Sequence, residues 1–284
     1  MRKGKASQTA LKVAMNTLTL STKPGMAEII PPGFVDATEK LLEASGVISR
    51  RTLRWARSPK MVAVYEAFDW ILPGQFEAFG YRKAFCEDQV RAGIRNGVSQ
   101  VLVLGAGYDT LGWRLAPEFP AVNFFEIDHP ATASLKAKGI EALGQRENLF
   151  LLAEDLGKRK LVDVLGTHKE WHKDAKTVII AEGLVMYLPA EAVQGLFRQC
   201  GESVGVGSRL AFSYIPSGED GRLDVGRWSG LMLWLQKKVG EPWLWSIRPK
   251  ALAPFLEANG WRQAKELIKG SDQYGVEYFA VAAK

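Results

Sequence analysis

Two glycines, Gly105 and Gly107, lie between a continuous apolar run and a polar, helix-like segment in the stretch VLVLGAGYDTLGWRL, residues 101–115. An unbroken apolar run is typical of a buried parallel strand. A glycine turn that joins such a strand to a helix is typical of sites for nucleosides or phosphates. A dinucleotide fingerprint needs a third glycine, and its position is taken by Thr110. The turn alone therefore predicts either a nucleotide site or an ordinary strand–helix connection.

Acidic residues follow the next three predicted strands. Glu126 and Asp128 come about 20 residues after the turn, where a carboxylate can accept hydrogen bonds from both hydroxyls of a ribose. Asp155 follows the third strand and could accept from an adenine amine, while Leu156 covers the ring. Glu182 follows the fourth strand, so we expect it in the ligand crevice with a cationic or donor partner. For Asp128 and Asp155, capping of the next helix is the structural alternative.

The chemistry of the turn favours a sulfonium cofactor over a dinucleotide. The missing glycine would bring a helix N-terminus close to a pyrophosphate. Asp109, within the turn, would repel a pyrophosphate but is compatible with a sulfonium or an ammonium. S-adenosylmethionine carries both cations and no phosphate, and it requires acids for its ribose and ammonium and a cation for its carboxylate. NAD-dependent oxidoreduction stays open as a minor alternative.

A doubly wound α/β domain would bring these residues together. Strands are predicted at residues 100–104, 123–127, 148–153, 177–181 and 208–215, and helices at residues 76–96, 131–143, 189–204 and 249–259. Strands that alternate with helices indicate a parallel sheet. Two final strand-like runs, WRQAKELI and VEYFAVAA, are joined by a turn-rich segment and predict a hairpin with one antiparallel strand near the sheet edge.

Two parts of the chain depart from this alternation. Residues 1–75 have helix-like stretches without strand alternation and are predicted to form a mainly helical cap on a Rossmann-like domain at residues 76–284. An insertion at residues 216–248 interrupts that domain after the fifth strand. Its tryptophans are interpreted either as a hydrophobic substrate lid or as core packing. They are Trp228, Trp234, Trp243 and Trp245.

The motifs GAGYDT, FEIDHP, AEDL and AEGLVMYL, in this order and spacing, resemble the leucine carboxyl methyltransferase family, which also includes bacterial O-methyltransferases of polyketide and other secondary metabolism. The resemblance covers roughly residues 80–215. It implies a class I methyltransferase fold, with a mostly parallel, Rossmann-like sheet of seven strands and a C-terminal antiparallel hairpin, and S-adenosylmethionine as the donor.

The resemblance also implies roles for single residues. Gly105 and Glu182 would contact the methionine part of the donor, and Asp128 its ribose. Arg82, in YRKAF, corresponds to a family arginine that pairs with the donor carboxylate, and Lys12 is the candidate for a basic residue near the N-terminus. The full predicted cofactor-binding set is Arg82, Gly105, Ala106, Gly107, Asp109, Asp128, Asp155, Leu156 and Glu182.

The predicted reaction is in-line displacement of the sulfonium methyl group by a substrate oxygen. A carboxylate is already ionised at neutral pH and needs no base, whereas a phenol or alcohol must lose a proton. Of the three histidines, His168 and His172 lie in a charged, loop-like stretch and His129 follows the ribose acid. This shortage of bases favours a carboxylate or an acidic hydroxyl. Tyr187 could orient that oxygen, or it could simply pack.

Composition limits the class of protein. The chain has 284 residues, of which 47% are hydrophobic and 24% charged, as in ordinary globular domains. No apolar run approaches the ~18 residues of a membrane span. Two cysteines, Cys86 and Cys200, form no disulfide framework and no metal site. We therefore expect a cytoplasmic protein that acts on a small molecule without a metal and binds neither a membrane nor a nucleic acid.

The basic N-terminal part keeps other functions open. The first 60 residues hold eleven Lys or Arg and four Asp or Glu, so they carry a net charge of +7 within a chain total of +6. The cluster at residues 49–60 could be a solvated helix face, could steer an anionic substrate, or could bind nucleic acid. The alternatives are therefore methylation of a protein C-terminal carboxyl group and a nucleic-acid-binding protein with a non-catalytic Rossmann domain.

Overall fold

A computed structural model describes residues 6–223, 230, 234 and 242–284. Within these residues, eight strands form one sheet in the order β3-β2-β1-β4-β5-β8-β6, and β7 pairs with β8. The strands are β1 (Gln100–Leu104), β2 (Asn123–Asp128), β3 (Leu149–Ala153), β4 (Thr177–Ala181), β5 (Arg209–Tyr214), β6 (Arg262–Gln263), β7 (Gln273–Tyr274) and β8 (Glu277–Ala283).

The first five strands are parallel, and β8 runs antiparallel between β5 and β6. The doubly wound sheet with one inserted antiparallel strand is therefore confirmed. The helices are α1 (Gln8–Leu20), α2 (Phe34–Ala44), α3 (Arg50–Ala56), α4 (Pro59–Ala67), α5 (Gln75–Arg95), α6 (Leu111–Leu115), α7 (Pro130–Leu143), α8 (Leu161–Leu165), α9 (Ala190–Glu202) and α10 (Pro249–Ala258).

Alternation within β1 separates two layers of core. Leu102 and Leu104 pack on one face of the sheet, together with α8, α9 and α10. Val101 and Val103 pack on the other face, together with α5 and α6. Because both faces are covered, all five residues of β1 are buried, as expected of a central parallel strand.

The helices of the N-terminal part share a core with the sheet. Leu18 of α1 and Leu41 of α2 belong to one buried cluster with Tyr108 and Ile140. A Cβ on Gly139 of α7 would lie 2.7 Å from the backbone oxygen of Leu41, so only glycine permits α2 and α7 to approach this closely. The same cluster joins the cap helices to the glycine turn that follows β1.

Two predicted elements differ from the structure in detail. Pro189 is the N-cap of α9 rather than its first helical residue. The run WRQAKELI contributes only two residues to the sheet, and Lys265–Leu267 form a 3-10 turn. This turn places Leu267 so that its carbonyl accepts from Gln89 Nε2 of α5 at 2.7 Å. In the part of the chain described here, no helix combines the length and the apolar character that crossing a bilayer requires.

Candidate functional site

A cavity of 330 Å³ opens at the carboxyl ends of β1 and β4. This is where ligands bind in doubly wound sheets. One wall comes from the strand ends, a second from α1 and α5, and a third from Pro242 and Leu244. The predicted site residues that line the cavity are Arg82, Gly105, Ala106, Gly107, Asp109, Asp128, Glu182 and Tyr187.

The glycine turn is shaped by close neighbours. Gly105 and Gly107 have φ values of +64° and +50°, which L side chains rarely adopt. A Cβ on Gly107 would lie 3.0 Å from Cβ of Ala10 in α1, and one on Gly105 would lie 3.0 Å from Cδ1 of Leu184. The two glycines thus allow α1 and Leu184 to close on the turn. The sequence predicted a contact from this segment only through Lys12, and not the close approach of Ala10 to the turn.

Asp128 stands at the end of β2 beside the turn. Its Oδ2 accepts from the Gly107 backbone N–H at 2.6 Å, and its Oδ1 accepts from the His129 N–H at 2.7 Å. Burial raises the pKa of the Asp128 carboxyl, and these two N–H donors oppose the rise. A carboxylate has about four lone-pair sites, so about two remain for ligand hydroxyls. The helix N-cap itself is His129, whose side chain accepts from Ala131 N.

Five buried side chains form a continuous chain of alternating charge, here called the ion chain: Asp109, Lys83, Glu182, Arg82 and Glu277. Lys83 Nζ lies 2.5 Å from Asp109 Oδ2 and 2.7 Å from Glu182 Oε1. Arg82 Nε lies 2.7 Å from Glu182 Oε1, and Arg82 Nη1 lies 2.7 and 2.8 Å from the two oxygens of Glu277. Each side chain is at most 11% exposed. Glu182 thus has the cationic partner expected of it, and in fact has two.

The ion chain favours the charged forms of Arg82, Lys83 and Asp109. Burial alone would lower the pKa of Arg82 and of Lys83, but the neighbouring carboxylates outweigh burial and raise both. Burial alone would raise the pKa of Asp109, yet the Lys83 ammonium holds it well below its usual range. With three acids and two bases ionised, the ion chain has a net charge of −1.

Glu126, the other acid at the end of β2, does not line the cavity. Its carboxylate forms a 2.5 Å ion pair with Lys136 of α7, and both side chains are 3% exposed. Lys136 Nζ also lies 3.5 Å from the Ala106 carbonyl oxygen. The pair therefore contacts the backbone of the glycine turn through Lys136. Of the two acids at the end of β2, only Asp128 lines the cavity.

Three predicted cofactor contacts lie outside the cavity lining. Asp155 accepts from Gly157 N at 3.0 Å and does not cap a helix, because α8 begins only at Leu161. Leu156 packs against the main core. Lys12 is exposed on α1. The adenine role of Asp155 and Leu156 and the role of Lys12 remain predictions.

The three described tryptophans of the insertion differ in their surroundings. Trp228 lies outside the described residues. Trp245 is 6% exposed and belongs to the main core, so the core interpretation applies to it. Trp243 is half-buried against Met186 and Ile215, and Trp234 is 51% exposed. In the described part of the insertion, Pro242 and Leu244 line the cavity and none of its tryptophans does. The substrate-lid role of the insertion remains a prediction.

Sequence reasoning missed Lys83 and Glu277. Lys83 is adjacent to Arg82 on α5, so its proximity to the site was a usable signal. Glu277 is 195 positions from Arg82 along the chain. Its partnership depends on β8 inserting beside β5 and had no local signal in the sequence.

The chain is similar in sequence to a known protein family and to individual bacterial proteins. A family model described as leucine carboxyl methyltransferase matches residues 36–201, more than half of the chain. Two bacterial proteins named as S-adenosyl-L-methionine-dependent methyltransferases are similar to it. The Frankia alni protein is 30% identical over 64% of this chain and 60% of its own length. The Streptomyces coelicolor protein is 29% identical over 66% of this chain and 63% of its own length. The chain thus spans about three fifths of these relatives.

Solved structures share the fold. A Thermobifida fusca protein described as a methyltransferase superimposes with a TM-score of 0.58 over 92% of this chain and 97% of its own, at 15% identity. A mitomycin 7-O-methyltransferase superimposes with a TM-score of 0.50 over 73% of this chain and 56% of its own, at 17% identity. At these identities the similarity concerns the architecture alone.

Proposed function

The chain belongs to the leucine carboxyl methyltransferase family, and we propose that it is an S-adenosylmethionine-dependent O-methyltransferase. Its acceptor would be a carboxylate, or an acidic hydroxyl, of a small and largely apolar molecule. The observation that carries the proposal is the negatively charged cavity at the ends of β1 and β4. The names of the relatives support the donor, since they are called S-adenosyl-L-methionine-dependent methyltransferases.

The charges lining the cavity fit this donor. Two cations, Arg82 and Lys83, and three acids, Asp109, Asp128 and Glu182, line it, giving a net charge of −1. S-adenosylmethionine carries a sulfonium, an ammonium and a carboxylate, giving a net charge of +1. A dinucleotide brings two negative charges on its pyrophosphate and would be repelled. The residues present therefore suit the methyl donor better than NAD.

Specific side chains would hold the donor. Asp128 retains acceptor capacity for the ribose hydroxyls after its two backbone bonds. Asp109 and Glu182 would bind the ammonium, and the Arg82 guanidinium would bind the carboxylate. When bound, the donor supplies a methyl carbon made electrophilic by its sulfonium.

The protein itself contributes alignment and exclusion of water. Val13 and Ala14 of α1, with Leu188 and Leu244 opposite, give the cavity apolar walls. Orienting two reactants can lower a barrier by roughly 7–11 kcal/mol. None of the lining residues that the structure describes is a histidine. This supports an acceptor that is ionised before it binds, with Tyr187 as the side chain that orients its oxygen.

Methyl transfer from labelled donor to a panel of carboxylic acids, phenols, alcohols and C-terminal peptides tests the proposal. We expect small apolar carboxylic acids to be methylated, with turnover nearly level between about pH 6 and 8 because carboxyl pKa values lie near 4. A tenfold rise per pH unit, or methylation of hydroxyl compounds alone, would contradict the carboxylate preference. Labelling only of peptides would instead select the protein carboxyl terminus, and no labelling of any acceptor would remove the proposed activity.

A further inference from the structure

Glu277 connects the antiparallel strand to the donor site without lining the cavity. It is the first residue of β8 and is 3% exposed. Both of its carboxylate oxygens accept from Arg82 Nη1, at 2.7 and 2.8 Å. Gln75 Nε2 at the start of α5 donates to Glu277 Oε1 at 2.9 Å, so the carboxylate is held from two positions of one helix.

This contact bears on the position of Arg82 and on the net charge of the ion chain. The guanidinium lies between Glu277 and Glu182, and Gly183 packs against it so closely that a Cβ there would be 3.2 Å from Nη1. Without Glu277 the remaining ion chain would have two acids and two bases and be neutral. Of the three acids, Glu277 is the one that does not line the cavity, and its charge leaves the buried ion chain negative without occupying the ligand space.

Charge matters here because the proposed reaction changes it. The acceptor oxygen supplies an electron pair for the new O–C bond, and the C–S bond breaks with its pair moving to sulfur. The donor has a net charge of +1 and the demethylated product, S-adenosylhomocysteine, has none. In a buried site, an uncompensated negative charge attracts the cationic donor more strongly than the neutral product.

We propose that Glu277 is a positioning residue that fixes Arg82 and, through the net charge of the ion chain, makes the site prefer the cationic donor over its neutral product. The inference rests on the proposed function, because it concerns the ligands of that reaction. It assigns to β8 a part in releasing product after each turnover.

Calorimetric binding of donor and product to the full chain and to its Glu277→Gln variant tests this inference. Glutamine keeps the shape and removes the charge. We expect the ratio of product Kd to donor Kd to fall by roughly three- to tenfold in the variant, as for loss of one charge near a bound cation. Glu277→Asp retains the charge and should restore most of the ratio. An unchanged ratio in Glu277→Gln would overturn the inference.

Gln89→Ala is the matched structural control. Gln89 also lies on α5, is 3% exposed, and links that helix to the C-terminal segment through the Leu267 carbonyl, but it touches no member of the ion chain. Its loss should lower Tm and leave the ratio at the wild-type value. An equal fall of the ratio in both variants would show that loosening α5 from the C-terminal segment is enough to change it, and would reject the charge argument.

A wild-type measurement keeps the inference testable if Glu277→Gln does not fold. A donor analogue with a protonated amine in place of the sulfonium should bind more tightly than the neutral product, and equal affinity of the two would contradict the inference. The proposed function fails separately: in that case neither donor nor product would bind the wild-type protein.

Discussion

The orientation of the Asp128 carboxylate is fixed, because two backbone N–H groups donate to its oxygens. We expect Asp128→Asn to weaken both donor and product by about 1.5–3 kcal/mol, the range for hydrogen bonds to a charged group. The amide would also turn one donor toward the N–H of Gly107 or His129. Calorimetry measures the loss. Glu154→Gln, which alters a nearby acid outside the cavity, should bind both ligands normally, and wild-type affinity in Asp128→Asn would contradict the ribose role.

Gly107 tests whether α1 must close on the turn. Gly107→Ala and Gly97→Ala both force alanine into positive φ, at +50° and +81°, and each should lose roughly 1–2 kcal/mol of stability. Only the Cβ at position 107 meets a neighbour, Ala10 Cβ at 3.0 Å, while position 97 is open. Urea unfolding should therefore give similar losses, and donor binding should fall in Gly107→Ala alone. Equal binding in the two variants would show that α1 can move aside without consequence.

At the residue scale, the sequence predicted the acids but not their partners. Asp128 and Glu182 were identifiable because each directly follows an apolar run, and parallel strands end at one edge of the sheet. Which base pairs with each acid depends on how the strands and helices pack, and the local sequence does not show this. Glu126 and Asp128 are two positions apart and so share one face of β2. Only Asp128, the last residue of the strand, lines the cavity, whereas Glu126 lies further back along the strand and pairs with Lys136.

Helix α7 is joined to β2 by the buried Lys136–Glu126 pair, and this gives a prediction at the scale of elements. Lys136→Met leaves Glu126 as an unpaired buried charge, which should lower stability by about 3–5 kcal/mol near neutral pH. Burial already raises the pKa of Glu126, and Lys136 opposes that rise, so the pKa should rise further in the variant.

The sign of the pH dependence follows from linkage. A carboxyl whose pKa is higher in the folded state destabilises the fold above that pKa, and the penalty disappears below the unfolded value of about 4.3. Urea unfolding of Lys136→Met should thus show a larger loss at pH 8 than at pH 5. Lys136→Met combined with Glu126→Gln should remove this pH dependence; a loss independent of pH in the single variant would indicate a packing defect instead.

The elements themselves were largely predictable, and the exceptions have a physical cause. β1 and β4 match their predicted bounds because continuous apolar runs occur where both faces of a sheet are covered. The run WRQAKELI looked like a strand but pairs only at Arg262–Gln263. Its later residues form a 3-10 turn, which places the Leu267 carbonyl so that it accepts a hydrogen bond from Gln89 of α5. Such a tertiary contact overrides local propensity and leaves no mark in the sequence.

On the scale of the whole molecule, the cavity joins the cap helices to the sheet, since α1 and the strand ends share its walls. A ligand that binds only the folded state at a hundredfold excess over its Kd should stabilise the fold by about 2.7 kcal/mol. Because α1 and the sheet also share buried core around Tyr108 and Leu18, we expect one cooperative thermal transition that moves upward as a unit with donor or product.

Amide hydrogen exchange measures which parts of the chain open less often when the ligand is bound. With the donor bound, amides of α1, which lines the cavity, should exchange more slowly. Arg51, Arg54 and Lys60 of the basic cluster are exposed and are not among the residues that line the cavity, so amides of α3 and α4 serve as the internal control and should change less than those of α1. Protection confined to the strand ends would show that α1 does not close on the ligand. Protection of α3 and α4 as strong as that of α1 would instead indicate a general tightening of the fold, because opening free energies differ between regions of one protein.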